Sequence, residues 1–431
     1  MKNKIGCHLI VLAIEEIKGL KFSKMNRNQS NPKKQILMVK QREVKVNLAR
    51  SRIFVLIITG CMILFFQKVL LCQTFNFKGL SSGWITLNTD NITKPLFGLR
   101  YIPEFSFKKS LSENHYLDFE LSLNTYGMAH IHSFTDIKTD SKIDLYRTWA
   151  RYSSSRFEAR LGLQKINFGS ASLLRPLMWF DRIDPRDPLQ LTDGVYGLLL
   201  RYYFLDNTNI WVWGLYGNDK LKGWEFFPSK SKSPEFGGRI QLPLGNGEWA
   251  ITCHHRNIDP NQGPFALITP VESSIPENRF ALDGKWDLGV GFWFEGTLTH
   301  QNSEALPFTW QRALNIGLDY TVGLGNGLNV IGEFFSFTSS TKALESGESI
   351  TFSALSLGYP LSLLDNLSYI LYYDWDNRDL YSFLNWRRTY DRWTINIIGF
   401  WNPEQFQIYQ NLPENNLYAG KGFQVMINFN Y

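Results

Sequence analysis

The sequence predicts an all-β fold: a transmembrane antiparallel β-barrel of about 18 strands, with 16 as the alternative count, preceded by an N-terminal signal peptide. Three observations predict it. Aromatic residues make up 15% of the 431 residues although the mean hydropathy is negative, as expected when every second strand residue faces a polar lumen and rings gather at the membrane interfaces. Beyond residue 80 apolar and polar residues alternate with period two in one segment after another. Short and long connections then alternate between those segments, the pattern of bacterial barrels with short periplasmic turns and longer outer loops.

The leader comes first. Residues 53–66 read IFVLIITGCMILFF, without a charge, after Lys40, Arg42, Lys45, Arg50 and Arg52. A basic stretch before an apolar run is the form of a secretory signal. The rival is a membrane anchor, but Gln67 and Lys68 end the run short of the ~20 apolar residues of a spanning helix. A start at Met38 gives a leader of normal length, so residues 1–37 read as an over-extended or disordered leader, 38–72 as the signal peptide and 73–431 as the barrel. Ile58-Thr59-Gly60-Cys61 has the look of a lipobox, and the apolar run directly after Cys61 opposes that reading.

Charge divides at the same boundary. Residues 1–72 hold 14 Lys+Arg against 3 Asp+Glu, a balance of +11; subtracting these from totals of 45 and 39 leaves 31 against 36, or −5. The basicity belongs to the leader, which removes the case for a nucleic-acid partner. Of Cys7, Cys61, Cys72 and Cys253 only the last lies beyond the leader, so neither an internal disulfide nor a cysteine metal cluster is expected.

Strands are expected near 83–89, 97–108, 115–131, 143–153 and 156–164. In the third, Leu117, Phe119, Leu121 and Leu123 alternate with Asp118, Glu120, Ser122 and Asn124, which sends one set to lipid and the other to the lumen. Thirty residues then run from Lys165 to Gly194 before strands near 195–205, 208–216, 235–244 and 247–257. The remaining strands fall near 277–287, 290–301, 311–323, 328–338, 350–360, 366–376, 390–401, 405–412 and 422–431. An even count puts both termini on the short-turn side. At the end Phe423, Val425, Ile427, Phe429 and Tyr431 alternate with Gln424, Met426, Asn428 and Asn430, similar to the terminal signal that delivers barrels to the outer-membrane assembly machinery. A soluble sandwich or propeller is the alternative, opposed by the long strands and the lack of a blade-length repeat.

Arginines mark the expected lumen. Alternation turns Leu161, Leu163, Leu198 and Leu200 toward lipid, hence Arg160 and Arg201 inward; Arg147, Arg151, Arg239 and Arg256 are placed inward likewise. A guanidinium stays charged and is costly in lipid. These groups form either a basic ladder that attracts anionic solute or a wall neutralised by Asp118, Glu120 and Glu158. The 165–194 segment is too long and too aromatic for an idle loop and is expected to fold inward as a constriction. There Arg175, Trp179, Asp181, Arg182, Asp184, Arg186 and Asp187 interleave both signs. Ion pairing is the expected use of those carboxylates, and a calcium site the alternative.

No metal site and no cofactor are expected. His130 and His132 share a strand face without a visible third ligand, and Cys253, His254 and His255 alternate across the wall. There is no G-x-S-x-G, H-E-x-x-H, C-x-x-C or phosphate-binding glycine loop.

The run Arg160-Leu161-Gly162-Leu163-Gln164-Lys165-Ile166-Asn167-Phe168-Gly169 resembles the strand-end G-R-Q-x-I-x-W-G element of alginate-export and related porin-like barrels. Leu163 and Phe168 stand where that pattern has arginine and tryptophan. The resemblance implies a monomeric barrel of about 18 strands with a charged lumen. The expected function is an outer-membrane channel, porin or exporter, passing a polar and by its arginines anionic solute such as an oligosaccharide, with the bilayer and the assembly machinery as partners. An outer-membrane lipase or protease and a closed structural or polysaccharide-binding barrel stay open as alternatives.

Overall fold

The computed structural model describes residues 74–88, 95–133, 136–263, 266, 272–403 and 418–431. The leader, the signal peptide, the expected strand at 405–412 and the His132 side chain lie outside them. The strands are β1 (Thr74–Asn88), β2 (Leu96–Ser112), β3 (His115–Ser133), β4 (Asp136–Ser153), β5 (Phe157–Gln164), β6 (Val195–Tyr203), β7 (Asn209–Leu215), β8 (Glu235–Leu244) and β9 (Gly247–Ile258). They continue as β10 (Ile275–Asp287), β11 (Gly291–Gln301), β12 (Trp310–Val322), β13 (Leu328–Ser340), β14 (Glu348–Pro360), β15 (Asp365–Asp374), β16 (Asp379–Thr389), β17 (Trp393–Trp401) and β18 (Lys421–Asn430).

Each strand pairs antiparallel with its neighbours in sequence, and β1 pairs with β18, so the 18 strands form one closed ring. Closure leaves no free sheet end, which a strand in hydrocarbon could not tolerate. At the seam Gly79 and Tyr431 exchange two backbone hydrogen bonds of 3.2 Å. The turns at 113–114, 154–156, 245–246 and 390–392 lie on one side, and the connections 165–194, 216–234 and 302–309 on the other. Both strand termini of the ring lie on the short-turn side, as expected.

Alternation is visible around the wall. Leu99, Leu161, Val212, Phe236, Ile251, Phe280, Leu318 and Ile397 are exposed on the outside, while Arg147, Arg239, Arg256, Glu277, Asp283 and Glu333 are buried inside. The apolar exterior needs a bilayer around it. Leu163 departs from the alternation. It is 6% exposed where a lipid-facing residue was expected, because Gly162 before it adopts φ +122° and a Cβ there would meet the Thr148 carbonyl at 2.2 Å. The kink turns the end of β5 inward and launches the long connection into the lumen.

Two other differences have physical causes. β4 starts at Asp136, and its polar first half hid it. β16 was not anticipated because its inward face is apolar as well: Tyr381 and Phe383 are buried while Leu380 and Leu384 face out. That inward apolarity belongs to a core within the lumen, where Leu173, Leu174 and Met178 of the long connection pack on Phe335, Phe352, Tyr372 and Phe383.

Candidate functional site

The 165–194 segment crosses the barrel. From the kink at Gly162 it runs to the opposite wall, where Glu333 of β13 accepts hydrogen bonds from the backbone N–H groups of Ser172, Leu173 and Leu174 at 2.6–3.2 Å. Glu295 of β11 accepts from Ala171 at 2.7 Å and Leu177 at 3.3 Å. Asn315 donates to the Leu174 carbonyl at 2.8 Å. A carboxylate receiving several amides is a strong clamp, and it fixes a stretch that has no ladder of its own.

The segment then passes β16, where the Arg186 guanidinium lies 5.0 Å from the Phe383 ring and 5.6 Å from Tyr418. It ends against β4: Arg147 donates to the Thr192 carbonyl at 2.9 Å and to its hydroxyl at 2.7 Å. Along the way Trp179 is buried among Phe168, Phe180 and Trp213. Arg186 makes a bidentate pair with Asp184, Arg175 lies 3.5 Å from Asp181 and Asp187 accepts from the Leu189 N–H at 3.0 Å. Burial pushes the Asp181 carboxyl up, with Arg175 pulling the other way.

A second connection, 216–234, also enters the lumen, which sequence reasoning missed. Trp224 stacks on Phe335 at 4.5 Å and Phe226 meets Phe337 at 5.6 Å. Its aromatic run Trp224-Glu225-Phe226-Phe227 was the available signal. The two connections are tied at Asp193, which lies 3.6 Å from Arg182 and 3.7 Å from Lys222. Burial pushes the Asp193 carboxyl up, but Lys222 and Arg182 outweigh it and hold the group below its ordinary range.

Two large cavities flank the crossing segment. One of about 680 Å³ lies toward the long-loop side and is bounded by Trp84, Arg100, Tyr126, Met128 and Met426 of the wall. The other, about 720 Å³ and more open, lies toward the short turns and is bounded by Arg160, Lys165, Arg175 and Arg201. Residues 182–191 separate them: Arg182, Asp184, Asp187 and Leu191 face the first, and Ile183, Pro185 and Gln190 the second.

The expected arginines divide into two groups. Arg160, Arg201 and Arg151 converge on Glu158 at 3.1, 3.6 and 3.5 Å, with Arg151 also 2.8 Å from Asp118. Their planes are braced by rings, Arg160 4.7 Å from Trp149 and Arg201 3.8 Å from Trp211. Arg239 instead grips Asp283 at 2.6 and 2.7 Å. Arg256 is enclosed by Glu225, Glu277, Ser229 and the Phe227 carbonyl. These two hold wall and loops together. Among the described residues no three His, Cys, Asp or Glu side chains gather to hold a metal ion.

No protein-family model matches the chain, and no curated protein matches it by sequence. Solved structures do resemble it. OccD3 (OpdP) of Pseudomonas aeruginosa superposes with a TM-score of 0.51 at 10% identity, covering 84% of this chain and 92% of that one. OccAB4 of Acinetobacter baumannii gives 0.50 at 10% identity, covering 84% and 98%. At that identity the likeness concerns the fold, which is that of a porin-like barrel of the bacterial outer membrane.

Proposed function

We propose that this chain is an outer-membrane channel for a small polar anion, whose path runs from the outer cavity past residues 182–191 to the arginine-lined vestibule on the short-turn side. One observation carries the reading: three guanidiniums, Arg151, Arg160 and Arg201, meet two carboxylates, Glu158 and Asp118. Counted by direct contact the cluster keeps one positive charge in excess, with Glu120 acting on Arg160 from beyond contact, and Lys165 and the Asp181-paired Arg175 border the same space. Unit charges 4 Å apart interact by about 4 kcal/mol at an effective dielectric near 20, enough to bias passage through a narrow wet path.

The test is the double variant Arg160→Ala plus Arg201→Ala in planar bilayers. The zero-current potential in a salt gradient should move toward cation preference. An unchanged potential in a conducting variant would assign these arginines to a neutralised wall.

A second reading, a closed structural barrel, draws on the clamping of 171–177 by Glu295 and Glu333. Complete absence of conductance in the wild type would favour it.

A further inference from the structure

The ring is closed, yet its wall is notched. β4 pairs with β5 only from Thr148 to Ser153. Residues 136–147 face no described strand on that side, a stretch of about 40 Å at about 3.3 Å per residue. Strands β5 to β8 are short, 8, 9, 7 and 10 residues, beside the 18 of β4 and 12 of β9.

The lower part of this notch stands at bilayer height. Phe429 lies in an aromatic group with Trp393 and Tyr431 at the short-turn rim. Its ladder row runs to Ser81, Tyr101, Thr125 and then Ile143 of β4. The rows climb toward the long-loop side: the one that starts at Thr74, at the short-turn end of β1, passes through Arg151, Trp213 and Arg279 and reaches Glu348 at the long-loop end of β14. With strands tilted about 40° the climb is about 3 Å per strand. Ile143, four steps from Phe429, therefore stands about 12 Å above it, near the middle of an apolar band about 25 Å tall.

The side chains around the gap suit hydrocarbon. Ile143 is 70% exposed, Leu145 49% and Leu161 61%. A strand edge that faces no described strand at this depth is tolerated where it borders a wet cavity, and this one does. The edge residues 142–146, together with Tyr196 and Gly217 across the gap, line the same 680 Å³ cavity as Trp84, Met128 and Met426 inside the barrel. That cavity offers both signs of charge near the gap: Lys142 lies 2.7 Å from Asp144, and Arg182 and Lys222 flank Asp193.

We propose that the notch is a lateral window through which a single-chain zwitterionic amphiphile binds, its head in the cavity and its tail against Ile143, Leu145 and Leu161. The head finds cations and carboxylates in the cavity, while the tail stays in the bilayer. The site shares the outer cavity with the proposed anion path, and its labelling is read without reference to conductance.

The probe is a long-chain alkyl phosphocholine with a photoreactive diazirine next to its head, added to the protein in liposomes and read by peptide mass spectrometry. Tyr126, Met128 and Met426, inside the barrel, should be labelled. Ile143→Arg plus Leu145→Arg should lower that labelling at least about fivefold while labelling of Trp393 and Trp401 at the rims persists. Leu163→Trp, which fills the inner side of the gap without adding charge, should do the same and serves if the double arginine variant fails to assemble. Unlabelled lumen residues in the wild type would overturn the window, and so would labelling unchanged by either assembled variant, which would mean access through the barrel mouth.

Discussion

Glu158 is the single carboxylate on which Arg151, Arg160 and Arg201 converge. Its replacement by glutamine removes one negative charge and keeps the shape, so Glu158→Gln should raise anion preference, the opposite sign to the arginine double variant. Reversal potentials of the two variants on the same side of wild type would contradict the electrostatic account. At this scale the sequence was partly legible. Alternation with leucine placed Arg160 and Arg201 inward because a guanidinium has no comfortable place in lipid. It could not separate them from Arg239 and Arg256, whose partners Asp283, Glu225 and Glu277 lie on other strands and loops. Leu163 misled the pattern because one glycine at positive φ reverses which way the next residue points.

The crossing segment depends on a few clamps. Glu333 satisfies the amides of Ser172, Leu173 and Leu174, so Glu333→Ala leaves the two buried N–H groups of Leu173 and Leu174 without their acceptor, at about 1–3 kcal/mol each when unsatisfied. The segment should detach from β13, raising single-channel conductance and adding slow current fluctuations. Quiet traces at wild-type conductance would show that the segment is held by its apolar packing alone. The segment's length and its Trp179, Phe180, Leu173 and Leu174 foretold the inward fold. β16 was missed for the same reason: a wall that carries a plug is apolar inside and out, and period two fades. The entry of 216–234 into the lumen left only the aromatic run at 224–227 as a signal.

The molecule as a whole is legible because hydrocarbon and lumen impose opposite demands on adjacent residues over 18 strands. The notch beside β4 was not, since it arises from registers between strands that no single strand records. Closure ends at Tyr431, which bonds Gly79 through the backbone, lies 2.7 Å from the Tyr101 hydroxyl and rests on Phe77. Deleting Phe429 to Tyr431 should therefore sharply lower the amount assembled in the outer membrane without blocking secretion across the inner one, as read by fractionation and by the heat-dependent gel shift of closed barrels. Normal surface levels would show that the seam forms without its aromatic end.

The central claim, an anion-preferring channel, is tested most directly by purified residues 73–431 in a planar bilayer under a salt gradient. The account predicts discrete conductance steps with a zero-current potential on the anion-selective side. A protein that gives the heat-dependent gel shift of a folded barrel yet passes no current, or passes cations preferentially, would contradict it.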